Sequence, residues 1–114
     1  MSHVFAGAFP VLPGKSQRVR DFEKELAPHR AEWDRLSMEG TFRFYNVTLQ
    51  QGQEGDIAIY TFELEDASKL RLTFSDSPHD TWWKEYFLDV HGIELTPGGR
   101  GSVPPETVFT WWST

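Results

Sequence analysis

The order in which the spacing of hydrophobic residues changes along the chain constrains the fold more than any other feature of this sequence. Residues 3–12 (HVFAGAFPVL) alternate small and large apolar side chains, which predicts a first strand. Residues 41–50 and 57–64 are rich in β-formers and flank the polar, glycine-containing turn 51–56, so they predict a hairpin. The stretch 106–112 (ETVFTWW) predicts a last strand.

Two segments between these strands have helical spacing. The first runs from Ser16 to Glu39, with Gly40 as a left-handed terminator. Pro28 lies opposite its apolar stripe, so we expect a kink there and not an end. The stripe consists of Val19, Phe22, Leu26, His29, Trp33 and Leu36.

The second helix has clear end signals. Ser77 is a capping residue, Pro78 occupies the first turn and Asp80 follows Ser77 by three positions, which predicts a helix start. The helix should run to about His91, with Gly92 as its terminator. A short helical segment after Asp66 precedes it, and an irregular loop over 96–105 follows it.

The resulting order, βαββαβ, predicts an α+β protein with the ferredoxin-like arrangement. In that arrangement two helices cover one face of a four-stranded antiparallel sheet. A length of 114 residues, without an internal repeat or a linker, indicates a single domain over 1–114.

The predicted hairpin strands carry apolar residues on both faces, so both faces of the sheet need cover. The helices cover one face, and a second subunit packed sheet to sheet would cover the other, so we expect a homodimer. The first hairpin strand has Phe42 and Phe44 on one side and Tyr45, Val47 and Leu49 on the other. The second has Ile57 and Ile59 on one side and Tyr60 and Phe62 on the other.

Composition excludes several classes of function. The net charge of -6 and the lack of a basic cluster argue against nucleic-acid binding. The chain has no cysteine, no membrane-length apolar run and no apolar leader, so we expect a cytoplasmic protein with neither a disulfide nor a thiol nucleophile. Neither a phosphate-binding glycine motif nor a serine-nucleophile elbow occurs.

Four histidines are candidates for chemistry, because imidazole gains and loses its proton near neutral pH. His29 lies in the apolar stripe of the first helix and His79 on the apolar face of the second, so both should point between helices and sheet. His3 opens the first strand, on the same side as Phe5. His91 falls off the stripe, and we expect it to meet solvent, where the helix dipole favours its cationic form.

The inward-facing histidines predict an aromatic-walled pocket in which imidazoles transfer protons. The candidate catalytic residues are His79, His3 and His29. The alternative is that these histidines are core residues hydrogen-bonded to the backbone. We favour the pocket because apolar side chains would fill a purely structural core at lower cost. The residues expected to wall the pocket or bind substrate are Tyr45, Trp83, Tyr86, Phe87, Phe5 and Trp33.

A metal site is another use of the same residues. His29 and Glu32 are three positions apart on a helix and could share an ion with His79 or His3. However, Glu32 is rotated by about 60° from His29, toward the outer side of the helix. We therefore expect neither a metal nor another cofactor.

The βαββαβ order, the histidine that opens the first strand and the run SDSPH before the second helix resemble the dimeric α/β-barrel superfamily. This superfamily includes antibiotic-biosynthesis monooxygenases, stress-responsive barrel proteins and polyketide cyclases such as olivetolic acid cyclase. The stretch HRAEWDRLSMEG, followed by GDIAIYTFELED, is also similar to a bacterial family of unknown function with the same expected fold.

This resemblance implies a homodimer and an acid/base pair of histidines in one cavity. His3 matches the strand histidine of the cyclase, and His79 matches its second histidine, although this sequence has S-P-H where the cyclase has H-P-x-H. Monooxygenases of this fold use neither metal nor flavin, and a heme-binding relative would need an axial ligand such as His79.

We therefore expect a small homodimeric enzyme that performs cofactor-independent cyclisation, isomerisation or elimination on a hydrophobic small molecule. The alternatives are a cofactor-free monooxygenase of the same fold and a non-catalytic ligand-binding or stress-response dimer.

Overall fold

The sheet has three described strands: β1 (His3–Pro10), β2 (Phe44–Gln50) and β3 (Ile57–Leu64). Their order is β1-β3-β2, and both outer strands pair antiparallel with β3. The computed structural model describes residues 3–38, 43–65, 77–96 and 108–109. Within these ranges the hairpin predicted from the turn at 51–56 is confirmed.

The strand register separates the residues of the sheet into two faces. Tyr45 lies opposite Phe62, and Val47 lies opposite Tyr60, so these four side chains share the face that packs against the helices. Phe44 points to the other face and is 50% exposed. The predicted division of β2 and β3 into two apolar faces is therefore confirmed for the residues that the structure describes.

The first predicted helix is divided into α1 (Ser16–Arg20), α2 (Phe22–Leu26), a 3₁₀ turn (Ala27–His29) and α3 (Arg30–Met38). The 3₁₀ turn contains Pro28, which lacks an N–H and whose ring clashes with the preceding turn of an α-helix. The predicted kink is therefore confirmed.

Both ends of α4 (Pro78–His91) lie where their capping residues predict them. The hydroxyl oxygen of Ser77 accepts a hydrogen bond from the backbone N–H of Asp80 at 3.1 Å. Gly92 has a φ of 68°, and its N–H donates to the carbonyl of Leu88 at 3.0 Å. A side chain at position 92 would be strained in this conformation, which explains the glycine.

The hydrophobic core lies between the sheet and the helices. Tyr86 and Val90 of α4 are fully buried, and Phe22 of α2 packs edge-on against Tyr86 with ring centroids 5.6 Å apart. Aromatic side chains make up much of this core, which explains how so short a chain fills it. The buried core residues are Val11, Val19, Phe22, Ala58, Tyr60, Tyr86, Phe87, Val90, Ile93 and Leu95.

The prediction that His91 meets solvent is wrong, because this side chain is only 7% exposed. Its Nδ1 lies 2.7 Å from the carbonyl oxygen of Pro10, and its Nε2 lies 2.7 Å from the hydroxyl of Tyr60. The segment after β1 runs past the end of α4, where the N–H of Leu12 donates to the carbonyl of Val90 at 2.8 Å. This contact covers the last turn of the helix. The periodicity of a single helix does not reveal such a contact with another segment.

The described elements confirm the α+β class, with a three-stranded antiparallel sheet and helices against one face. The predicted fourth strand lies outside the described residues except for Val108 and Phe109, which are exposed and in no regular element. Glu39 and Gly40, the short segment after Asp66 and most of the loop 96–105 also lie outside them. The four-stranded ferredoxin-like sheet remains a prediction.

Candidate functional site

His79, in the first turn of α4, is held on both of its ring nitrogens. The indole Nε1 of Trp33 donates to His79 Nε2 across 2.6 Å. On the other side, His79 Nδ1 lies 2.9 Å from Glu32 Oε2 and 3.0 Å from Asp80 Oδ1. We call Glu32, Trp33, His79 and Asp80 the His79 cluster. Its histidine side chain is 11% exposed, so the cluster is partly shielded from water.

The donor properties of Trp33 determine the tautomer of His79. An indole N–H only donates, so His79 Nε2 must present a lone pair to it. A neutral His79 therefore carries its proton on Nδ1, where Glu32 and Asp80 accept it. The arrangement is a carboxylate–imidazole pair, in which the carboxylates stabilise any positive charge that the ring gains.

His29 lies beside the His79 cluster but makes a different kind of contact. Its ring centroid is 5.9 Å from that of His79, and its ring stacks on Trp82 at 5.3 Å with an interplanar angle of 27°. The indole Nε1 of Trp82 donates to Glu25 at 3.2 Å. The structure thus brings His29 and His79 together between the 3₁₀ turn and α4.

An open cleft of about 520 Å³ adjoins the His79 cluster, between α1–α3 and β2. Trp33 belongs to both, because it lines the cleft and donates to His79. The rings of Trp33 and Tyr45 are nearly perpendicular, with centroids 4.7 Å apart. The ring of Phe22 is nearly parallel to that of Tyr45, with centroids 6.3 Å apart. The volume lies within the range of about 300–1,000 Å³ typical of small-molecule sites.

Arginines surround the cleft. Arg20, Arg30 and Arg43 line it, together with the acids Glu23 and Asp34. The chain contains seven arginines and has a net charge of -6, so three arginines at one cleft form a local positive excess.

The ion pairs of these arginines are exposed. Arg43 pairs with Glu65, with both side chains more than half exposed, and Arg30 pairs with Asp34 at 3.4 Å, with both about two-thirds exposed. Exposed pairs of this kind contribute only about 0–1 kcal/mol, so a ligand competes for these guanidinium groups at little cost.

The phenol of Tyr45 is protonated at neutral pH. Burial raises the pKa of Tyr45 far above its ordinary value, because the phenolate would lose its hydration. Tyr45 is thus a possible hydrogen-bond donor at the cleft wall.

The remaining predicted site residues lie elsewhere. Tyr86 and Phe87 are buried core residues, and Trp83 stacks on Tyr86 with centroids 5.7 Å apart. These three, like His79 and His29, are not among the described residues that line the cleft. The side chains of His3 and Phe5 lie outside the described part of the structure, so their predicted roles stay predictions.

Several residues of the site were not predicted from the sequence. Asp80 was assigned only to the helix start, yet its side chain also contacts His79. Arg20 and Arg43 were not singled out at all. Their signal is tertiary, because α1 and the start of β2 meet at the cleft although they are far apart in sequence.

Glu32, His79 and Asp80 place three metal-ligand atoms within 4.8 Å of one another. In this conformation, however, a metal ion would need the Nδ1 lone pair, and a neutral ring would then carry its proton on Nε2. That proton would face the N–H of Trp33 at 2.6 Å. The cluster as arranged therefore suits a shared proton rather than a metal ion, and His29 is not part of this ligand set.

Comparison with protein-family models gave no match for this chain, and searches of curated proteins and of solved structures gave none either. The resemblance to dimeric α/β-barrel proteins thus stays a prediction. None of the helices in the described ranges has the length and apolar character needed to cross a bilayer.

Proposed function

We propose that this protein is a cofactor-independent enzyme of the dimeric α/β-barrel type, which moves protons on a hydrophobic small molecule with His79 as the acid/base residue. The observation that carries the proposal is the double attachment of the His79 ring. Two carboxylates lie within 3.0 Å of Nδ1, and Nε2 contacts Trp33, which lines the cleft.

In this proposal, a bound substrate displaces the indole of Trp33 and presents its acidic proton to His79 Nε2. The ring takes that proton and becomes cationic, while Glu32 and Asp80 stabilise the charge through the Nδ1 proton. The ring then returns the proton to another atom of the substrate. Such a step changes no oxidation state, which suits a cyclisation, isomerisation or elimination.

Tyr45 and the aromatic wall would support this chemistry. The protonated Tyr45 hydroxyl can donate to a developing enolate oxygen, which lowers the energy of the transition state. His3 and His29 remain the candidate second acid/base groups, His29 because its ring lies beside that of His79. A cofactor-free monooxygenase reaction would begin with the same proton abstraction, followed by attack of dioxygen on the carbanion.

The homodimer is part of this proposal. The sheet face away from the helices exposes Val4, Phe44 and Ile57, with exposures of 49%, 50% and 39%. A second copy packed sheet to sheet would bury these side chains and complete the barrel, with the predicted fourth strand beside β1.

The proposal is tested with a carbon acid as probe. We expect the wild-type protein to catalyse exchange of the α-protons of 2-tetralone with D₂O, followed by NMR. We expect His79→Gln to lower the rate above background at least about 100-fold, because general acid/base catalysis contributes about 10²–10⁴-fold. Glutamine at this position can still accept the N–H of Trp33, so the fold should persist.

Lys24→Gln is the control, since Lys24 is exposed and does not line the cleft. Full exchange activity in His79→Gln would contradict the assignment of His79.

A ligand-binding protein without catalysis is the second candidate, because the N–H of Trp33 occupies the one nitrogen of His79 that could act as a base. Ligand binding by the wild type without any exchange above background would favour this candidate.

A further inference from the structure

We infer that the cleft between α1–α3 and β2 binds an aromatic carboxylate. This inference rests on the proposed function, because it names the ligand class of that site. The cleft combines an aromatic wall with a rim of guanidinium groups, and each part selects for a different portion of the ligand.

The wall selects for a flat apolar body. Phe22, Trp33 and Tyr45 present rings to one cleft whose volume of about 520 Å³ matches a ligand of one or two fused rings with substituents. Ring faces and edges at these positions offer offset-stacked and edge-to-face contacts to an aromatic ligand.

The rim selects for a single negative charge. The lining contains three arginines (Arg20, Arg30 and Arg43) and two acids (Glu23 and Asp34), so it has one excess positive charge, which the exposed pair of Arg43 with Glu65 offsets only weakly. A carboxylate matches this excess and pairs with the planar guanidinium fork through two hydrogen bonds. A phosphate dianion would be repelled more strongly by the two acids on the same rim.

The lack of a side-chain partner for Arg20 among the described residues strengthens this inference. Among the described residues, Arg20 forms neither an ion pair nor a hydrogen bond through its side chain, whereas Arg18, two residues earlier on the same helix, binds three carboxylates. Arg20 lines the cleft without an internal partner, so a ligand carboxylate would meet no competition for it.

The experiment compares naphthalene-2-carboxylate with naphthalene-2-carboxamide by isothermal titration calorimetry. The two probes share a ring system and differ in charge. We expect the carboxylate to bind at least about tenfold more tightly, and its affinity to fall as the ionic strength rises. Shift changes of backbone amides in NMR spectra should locate it at Tyr45, Asn46 and Val47, which line the cleft.

Arg20→Gln and Arg43→Gln should each weaken carboxylate binding by about three- to tenfold and leave carboxamide binding unchanged. Lys24→Gln removes the same charge from a residue that does not line the cleft, so its effect should stay below about twofold. Equal affinity for both probes, equal effects of Arg20→Gln and Lys24→Gln, or shift changes confined to another surface would overturn the inference.

The failure of this inference is distinguishable from the failure of the proposed function. If His79→Gln retains proton exchange while the carboxylate preference holds, the acid/base proposal is wrong and the ligand class stands. If exchange depends on His79 while the cleft binds both probes equally, the ligand class is wrong and the acid/base proposal stands.

Discussion

His79 and His91 lie at opposite ends of α4 and have different roles. The hydrogen-bond partners of their ring nitrogens determine the difference. The Nδ1 of His79 donates to the carboxylates of Glu32 and Asp80. His91 donates from Nδ1 to the carbonyl of Pro10, so its Nε2 accepts from the hydroxyl of Tyr60, whose oxygen lies 3.0 Å from that of Tyr86. A neutral His91 ring makes both of these hydrogen bonds, and this network of described residues contains no carboxylate. We therefore assign His91 a structural role.

The environment of His91 makes the stability of the protein depend on pH. Burial lowers the pKa of His91 below its ordinary 6.5, with the hydrogen bond to Pro10 opposing the shift. Between those two pKa values the unfolded chain binds more protons than the folded one, so the free energy of unfolding falls as the pH falls below about 6.5. The contribution of His91 is fully present above that pH.

We expect His91→Gln to abolish this part of the pH dependence. Glutamine can donate to Pro10 and accept from Tyr60, but it fills less of the aromatic core, so the variant should be about 1–2 kcal/mol less stable at pH 8. Urea denaturation between about pH 5 and pH 8 measures both effects. Parallel stability curves for the two proteins over this range would contradict the assigned role of His91.

At the scale of elements, sequence predicts what is locally encoded. Ser77, Pro78 and Gly92 define both ends of α4 because capping depends on residues next to the helix. Pro28 predicts a kink for the same reason, and the structure has a 3₁₀ turn there. The site is less predictable, because the meeting of α3 with α4 at His79 depends on how the helices pack, and helical periodicity indicates only which side of each helix faces inward.

Arg18 shows how α1 and α2 are held against α4. Its guanidinium binds Glu25 of α2 and both Glu85 and Asp89 of α4, and lies 5.2 Å from the ring centroid of Tyr86. The hydrogen bond to Arg18 holds the pKa of Glu25 below its ordinary value. Several charges that share one partly buried arginine stabilise more than isolated surface pairs do.

We expect Arg18→Gln to lower the free energy of unfolding by about 2 kcal/mol at neutral pH, because Glu25 and Glu85 lose their cation and Asp89 keeps only Lys15. Arg30→Gln is the matched control, since Arg30 makes one exposed pair with Asp34, and its effect should stay within about 0.5 kcal/mol. Urea denaturation of both variants provides the comparison. Equal destabilisation by the two changes would mean that the Arg18 network stabilises the protein no more than an exposed surface ion pair does.

At the scale of the whole molecule, the two faces of the sheet are unequally covered. The helices bury one face, where Ala58 and Tyr60 are nearly inaccessible to solvent. On the other face, Val4 and Phe44 both lie opposite Glu63 in the strand register, so they flank the same position of β3. An exposed face that carries large apolar side chains is typical of a surface that a partner covers.

The proposed homodimer makes this face a self-complementary interface around a twofold axis, so one substitution enters it twice. We expect the wild type to be dimeric in analytical ultracentrifugation, and Val4→Asp and Ile57→Asp each to weaken the dimer at least about 100-fold, because each change buries carboxylates without partners. Leu88→Asp places the same charge on α4 at a residue that is 55% exposed, and it should leave the dimer intact. A monomeric wild type, or a dimer lost only in Leu88→Asp, would show that the subunits do not meet through the sheet.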